Sequence, residues 1–149
     1  MTEKLKYAII GAGCMGQEHI LNIDIIDDAE VVALCDTSEK SIKESLDLLN
    51  NDVAIFDNYI DLVEANIADA FIIATPNFTH IEVLKEVMKS EAHLLIEKPL
   101  CTTVKDCQEF EKLAVDYPGV IWTAMEYRYM PPVQRMIKEI HNKTIGDLK

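Results

Sequence analysis

The 149-residue sequence is short of basic residues. Its 14 Lys and Arg stand against 26 Asp and Glu, a formal net charge of −12. That balance argues against binding a nucleic-acid backbone, which needs clustered cations. It argues equally against a polybasic membrane-surface role. No apolar run approaches the ~20 residues of a membrane span. The opening "MTEKLKYAII" lacks the long apolar core of a secretion signal, so a cytoplasmic protein is expected. Cys14, Cys35, Cys101 and Cys107 form no CxxC pair, and His19, His80, His93 and His141 are scattered. Neither a metal site nor a disulfide framework is expected from such spacing; reduced, mostly packed cysteines are. Internal repeats, low-complexity tracts and Gly/Ser linkers are absent too.

What the chain has is a recurring unit. Short β-rich apolar runs alternate with segments of helical period, the pattern of βαβ units and a parallel sheet. The strand candidates are 6–10, 31–35, a weaker 53–56, 70–74, 93–96 and 120–124. Several are continuously apolar, as strands covered by helices on both faces must be. The expected fold is α/β: a doubly wound parallel (Rossmann) sheet of about six strands with helices on both faces. Ile81, Leu84, Val87 and Met88 give one helix its apolar face. Thr103 and Asp106 resemble a capping box, with Val104, Cys107, Phe110, Leu113 and Tyr117 as the face behind it. Pro131 and Pro132 open a last helix whose Val133, Met136, Ile137 and Ile140 follow the i, i+3, i+4, i+7 rule. That face is expected to stay exposed, or to drive self-association into a homo-oligomer, unless the helix docks on its own sheet. Trp122, a lone aromatic in an apolar strand, is read as core.

The segment "AIIGAGCMGQEH" (8–19) places Gly11, Gly13 and Gly16 as GxGxxG between a strand and a helix. Gly11 permits the tight turn, Gly13 lets a pyrophosphate approach the backbone, and Gly16 lets the helix pack on the sheet. The free N–H groups of this turn, including those at Cys14 and Met15, lie at the positive end of that helix. Asp36 ends the second strand about twenty residues later, where a carboxylate accepts hydrogen bonds from the adenosine ribose and favours NAD. A 2′-phosphate there would meet a like charge, worth roughly 4 kcal/mol at about 4 Å and an effective dielectric near 20. Thr37 stands where an Arg would clamp that phosphate. Lys40 and Lys43 could relieve some repulsion, so NADP stays open as the alternative. Asp36 could instead cap the helix over 38–49, although Ser38 is available for that.

The residues that break character gather at strand ends: Gly11 to Gly16, Asp36, "ATPNFTH" (74–80), "EKP" (97–99) and "MEYRY" (125–129). Ligands of doubly wound sheets bind at the carboxyl ends of strands. Glu97 and Lys98 are neighbours on an extended segment, so their side chains point apart and need separate partners. The alternative is two solvated loop charges.

Together these motifs resemble the N-terminal half of the Gfo/Idh/MocA oxidoreductase family. The resemblance runs from Gly11 to Lys149 and rests on "GAGCMGQEH", the Asp36 strand end, "ATPNFTH", "EKPL", "EYRYMPP" and the closing "IGDLK". It implies hydride transfer between NAD or NADP and a sugar, inositol or similar polyol. By that resemblance Ala74, Thr75, Pro76 and Asn77 border the nicotinamide half of the cofactor. His80 starts the next helix nearby, either touching the cofactor or satisfied by backbone. Glu97 bonds the nicotinamide ribose, and Lys98, the catalytic candidate, faces the substrate hydroxyl. Arg128 either lines the nicotinamide pocket or pairs with Glu126 on the same extended segment.

The family's second domain carries the substrate sheet and an Asp and a His, the His as general base. None of the four histidines here has that context. The expected division is therefore a dinucleotide-binding domain over 1–128, with 129–149 as a helix and the start of a missing domain. Three readings remain: a half-enzyme, a freestanding NAD-binding or regulatory module, and an inactive truncated remnant.

Overall fold

The computed structural model describes residues 3–147. Six strands form one sheet: β1 (Leu5–Ile10), β2 (Ala29–Cys35), β3 (Ala54–Phe56), β4 (Ala70–Ile73), β5 (His93–Ile96) and β6 (Ile121–Thr123). Their spatial order is 3-2-1-4-5-6, and every pair is parallel. The helices are α1 (Cys14–Asp24), α2 (Glu39–Leu46), α3 (Tyr59–Glu64), α4 (His80–Val87), α5 (Val104–Ala114) and α6 (Pro131–His141). All six strand candidates are present, each within two residues of its expected bounds.

Two cores explain the continuous apolar strands. Ile9, Leu34 and Ile72 pack on one face with Ile20 and Ile23 of α1 and Ile42 of α2. Ile10, Phe71, Ile73 and Ile96 pack on the other with Leu62, Ile81, Leu84, Val87 and Phe110 of α3, α4 and α5. All four residues of β4 are buried, as expected for a central strand with helices on both faces.

Helix starts follow local chemistry. Ser38 Oγ caps α2 by accepting the Ser41 N–H at 3.2 Å, and Thr103 Oγ1 caps α5 by accepting the Asp106 N–H at 3.1 Å. The side-chain cap of α2 is thus Ser38 rather than Asp36.

Three expectations fail. Trp122 is 44% exposed and stacks on Tyr129, with ring centroids 6.1 Å apart. It lies on β6, an edge strand, and an apolar run does not reveal whether its strand is central or peripheral. Val104 and Cys107 are exposed, because α5 enters the core through Phe110, with Ala114 and Tyr117 packed beside it. The cysteines are not mostly packed: Cys35 is buried and Cys101 half-buried, but Cys14 and Cys107 are exposed. In α6 no residue is fully buried. Val133, Ile137 and Ile140 are partly covered, whereas Met136 is 53% exposed. Leu148 and Lys149 of the closing "IGDLK" lie outside the described residues. No helix among those described is long and apolar enough to cross a membrane.

Candidate functional site

The sheet ladder continues one residue past every strand but β3 and aligns the site. Gly11 N–H donates to Cys35 O at 2.8 Å, Ala74 N–H to Ile10 O at 2.8 Å and Glu97 N–H to Ile73 O at 2.9 Å. On the flanks, Asp36 N–H donates to Phe56 O and Ala124 N–H to Ile96 O. Gly11, Asp36, Ala74, Glu97 and Ala124 therefore form a single row across the carboxyl edge. Strand order reverses between β1 and β4, and a cleft of about 650 Å³ opens there. Gly11, Gly13, Cys14, Met15, Asp36, Thr37, Ala74, Thr75 and Pro76 all line it.

The three glycines of the turn do different things. Gly11 has φ +98°, and a Cβ there would lie 2.6 Å from the Ala74 carbonyl. At Gly16 a Cβ would come within 2.1 Å of Gly11 O. At Gly13 it would meet nothing within 4 Å. Two glycines are therefore required by the protein's own backbone, and the third faces open space. No side chain caps α1, and its first turn carries no acidic residue. Its leading N–H groups have no intrahelical partner by geometry. A pyrophosphate fits that combination of space and donors.

Asp36 braces this turn. Its Oδ2 accepts the Ala12 N–H and its Oδ1 the Ser38 N–H, both at 2.8 Å. Each oxygen retains a lone pair for a ribose hydroxyl. From beneath, the fully buried Ser45 donates its hydroxyl to Ala12 O at 3.0 Å. The sequence assigns no role to Ser45 or to the lining residues Asp57 and Tyr59, and marks Thr79 only as part of "ATPNFTH". They belong to segments whose approach to the turn depends on strand order.

The remaining candidates lie outside the lining of that cleft. His80 is 1% exposed; its Nδ1 lies 3.1 Å from Pro99 O, and its Nε2 lies 3.0 Å from Thr75 O. It thereby joins the 74–79 loop to the segment after β5. Asn77 opens a short 3-10 turn, Asn77–Thr79, and is exposed. Glu97 is 6% exposed, and its Oε1 lies 2.8 Å from Nε2 of His19 on α1. Lys98 is exposed and precedes a cis peptide bond to Pro99. Its side chain makes no ion pair or hydrogen bond among the described residues. Glu97 and Lys98 thus do point apart, one inward and one outward. Arg128 is exposed in a 3-10 turn, Glu126–Tyr129, rather than on an extended segment, and forms no ion pair with Glu126.

Two thiols are held protonated by their surroundings. Burial first, then the Asp36 carboxylate, pushes the Cys35 thiol up to about 12. Cys101 is pushed up to about 11, by burial and then by neighbouring Cys107. Only the thiolate is nucleophilic, so Cys35 should alkylate slowest of the four at pH 8. Exposed Cys14, in the first turn of α1, should react readily and be protected by saturating NAD. Mass-spectrometric labelling with and without NAD checks both; equal Cys14 labelling in the two samples would place the cofactor elsewhere.

A glycine-rich turn leading into an uncapped helix, at the switch point of a 3-2-1-4-5-6 parallel sheet, defines a dinucleotide-binding Rossmann domain. The model of the Gfo/Idh/MocA oxidoreductase family, NAD-binding Rossmann fold, matches residues 5–125. The chain belongs to that family. It is 25% identical over 145 residues to the rhizopine catabolism protein MocA of Rhizobium meliloti, covering 97% of this chain and 45% of that protein. It is 26% identical over 142 residues to the myo-inositol 2-dehydrogenase of Thermotoga maritima, covering 95% and 42%. Among solved structures, the WlbA dehydrogenase from Bordetella pertussis in complex with NADH and UDP-GlcNAcA superposes with a TM-score of 0.86. The sequences are 25% identical there, covering 95% of this chain and 43% of that one. The chain spans less than half the length of these relatives.

Proposed function

We propose that this chain is the NAD-binding portion of an oxidoreductase acting, in the complete protein, on a sugar, inositol or similar polyol. The observation that carries the reading is the open space over Gly13, flanked by the uncapped start of α1 and by the oriented carboxylate of Asp36. NAD, when bound, supplies the hydride acceptor. The chain's own part is to bind the phosphates along Gly11 to Gly16, hold the adenosine ribose at Asp36 and Thr37, and border the nicotinamide half with Ala74 to Asn77. His80 braces that border. Glu97 accepts from the nicotinamide ribose. Lys98, exposed and unpaired, supplies a cation where a substrate hydroxyl loses its proton; a fixed ammonium favours that developing negative charge. The cofactor domain is taken as 1–128, with 129–149 leading into a substrate domain. Free cysteines, two of them exposed, fit a reducing, cytoplasmic compartment.

Asp36 tests the cofactor preference. Asp36→Ala should narrow the NAD-to-NADP affinity ratio about tenfold, roughly 1.4 kcal/mol. The effect is smaller than the bare Coulomb figure because the carboxylate is partly solvated and screened. NAD affinity should itself fall, since the turn loses the acceptor for its Ala12 N–H. Titration of both proteins with both cofactors measures this; an unchanged ratio would remove Asp36 from the ribose site.

A further inference from the structure

Among the described residues, His80 and Glu97 are the imidazole and the carboxylate that lie buried. His80 is surrounded by backbone carbonyls, whereas Glu97 is a carboxylate that needs donors. Oε2 accepts the N–H of its own neighbour Lys98 at 3.2 Å, and Oε1 meets His19 Nε2 at 2.8 Å. No Lys or Arg pairs with it among the described residues. When Glu97 is a carboxylate it can only accept, and the hydrogen bond then requires the proton on Nε2 of His19. Two of about four acceptor positions are then filled, and the rest are available to a ligand hydroxyl.

His19 lies three residues after Gly16, on the helix whose first turn opens on the cleft. Glu97 lies one strand beyond Ala74 in the row of strand-end residues, immediately before Lys98. The side chain of His19 is 16% exposed and that of Glu97 8%, so little water competes for the bond. A single hydrogen bond thus joins the phosphate-binding helix to the segment that carries Lys98.

We infer that His19 is a positioning residue of the cofactor site. Its Nε2–H orients the Glu97 carboxylate toward the ribose hydroxyls on the nicotinamide side. The inference rests on the proposed role of Glu97 as a ribose acceptor. Without the donor, Glu97 is a buried carboxylate held only by a local backbone N–H, free to turn and less preorganised.

NAD and ADP separate this role from a purely structural one, because ADP carries the adenosine and pyrophosphate but not the nicotinamide ribose. In calorimetric titrations of the full chain, His19→Leu should weaken NAD binding about tenfold and leave ADP unchanged. His19→Gln, which can still donate to Glu97, should recover most of the loss. Glu97→Gln should lose NAD selectively, and adding His19→Leu to it should cost nothing more. Equal weakening of NAD and ADP, or no weakening of either, would overturn the assignment. If His19→Leu fails to fold, His19→Gln and Glu97→Gln decide: the first near wild type and the second selectively weak for NAD supports the clamp, and any other pattern overturns it. Wild-type chain that binds neither ligand would refute the proposed function itself.

Discussion

Gly13→Val is expected to abolish NAD binding while the chain stays folded, and Gly16→Ala is expected to do nearly the reverse. A side chain at Gly13 enters space that no protein atom occupies, so the native packing is untouched and only a ligand is displaced. A loss of at least about a hundredfold, roughly 2.7 kcal/mol, should follow. At Gly16 even a methyl group would press within 2.1 Å of Gly11 O, which belongs to backbone and cannot swing aside. Overpacking of this kind costs about 3 kcal/mol or more at its upper range. For a domain of this size that is on the order of a 10 °C drop in Tm. Thermal unfolding and NAD titration of both variants separate the effects. A Gly13→Val chain that binds NAD normally would remove the pyrophosphate from the turn, and a Gly16→Ala chain as stable as wild type would show that α1 can shift.

The second large effect concerns turnover. The 149-residue chain is expected to bind NAD yet show no hydride transfer, because no histidine among the described residues stands beside Lys98 as a general base. His80, nearest in the chain, is buried against the carbonyls of Thr75, Pro99 and Leu100. His19 is committed to Glu97, and His93 takes the Val120 N–H at the amino end of β5. His141 ends α6. Lacking a general base costs about 10²- to 10⁴-fold. Lacking a pocket that orients the substrate forfeits up to roughly 7–11 kcal/mol more. NADH formation from a panel of inositols, aldoses and short polyols, with Lys98→Met as control, measures this. Turnover lost on Lys98→Met would show that this domain catalyses by itself. Activity restored by a complementary substrate domain would support the half-enzyme reading.

The sequence by itself determined the parallel α/β class, the six strands, the glycine-rich turn and the acidic end of β2. These features are local: apolar runs, caps and turn residues act within a few positions of themselves. The opposed directions of Glu97 and Lys98 were legible for the same reason, since alternation along an extended segment is a backbone property. Whatever depends on strand order was not legible. Trp122 reads as core in its own run and lies half-exposed because β6 is an edge strand. Gly11 reads as a turn residue, yet it is required by the Ala74 backbone, 63 positions along, which pairing of β1 with β4 brings against it. Glu97 plainly needed a partner, but nothing in "EKPL" points to His19. That contact exists because β4 and β5 place the carboxylate within reach of α1, and such proximity is created only when the sheet assembles.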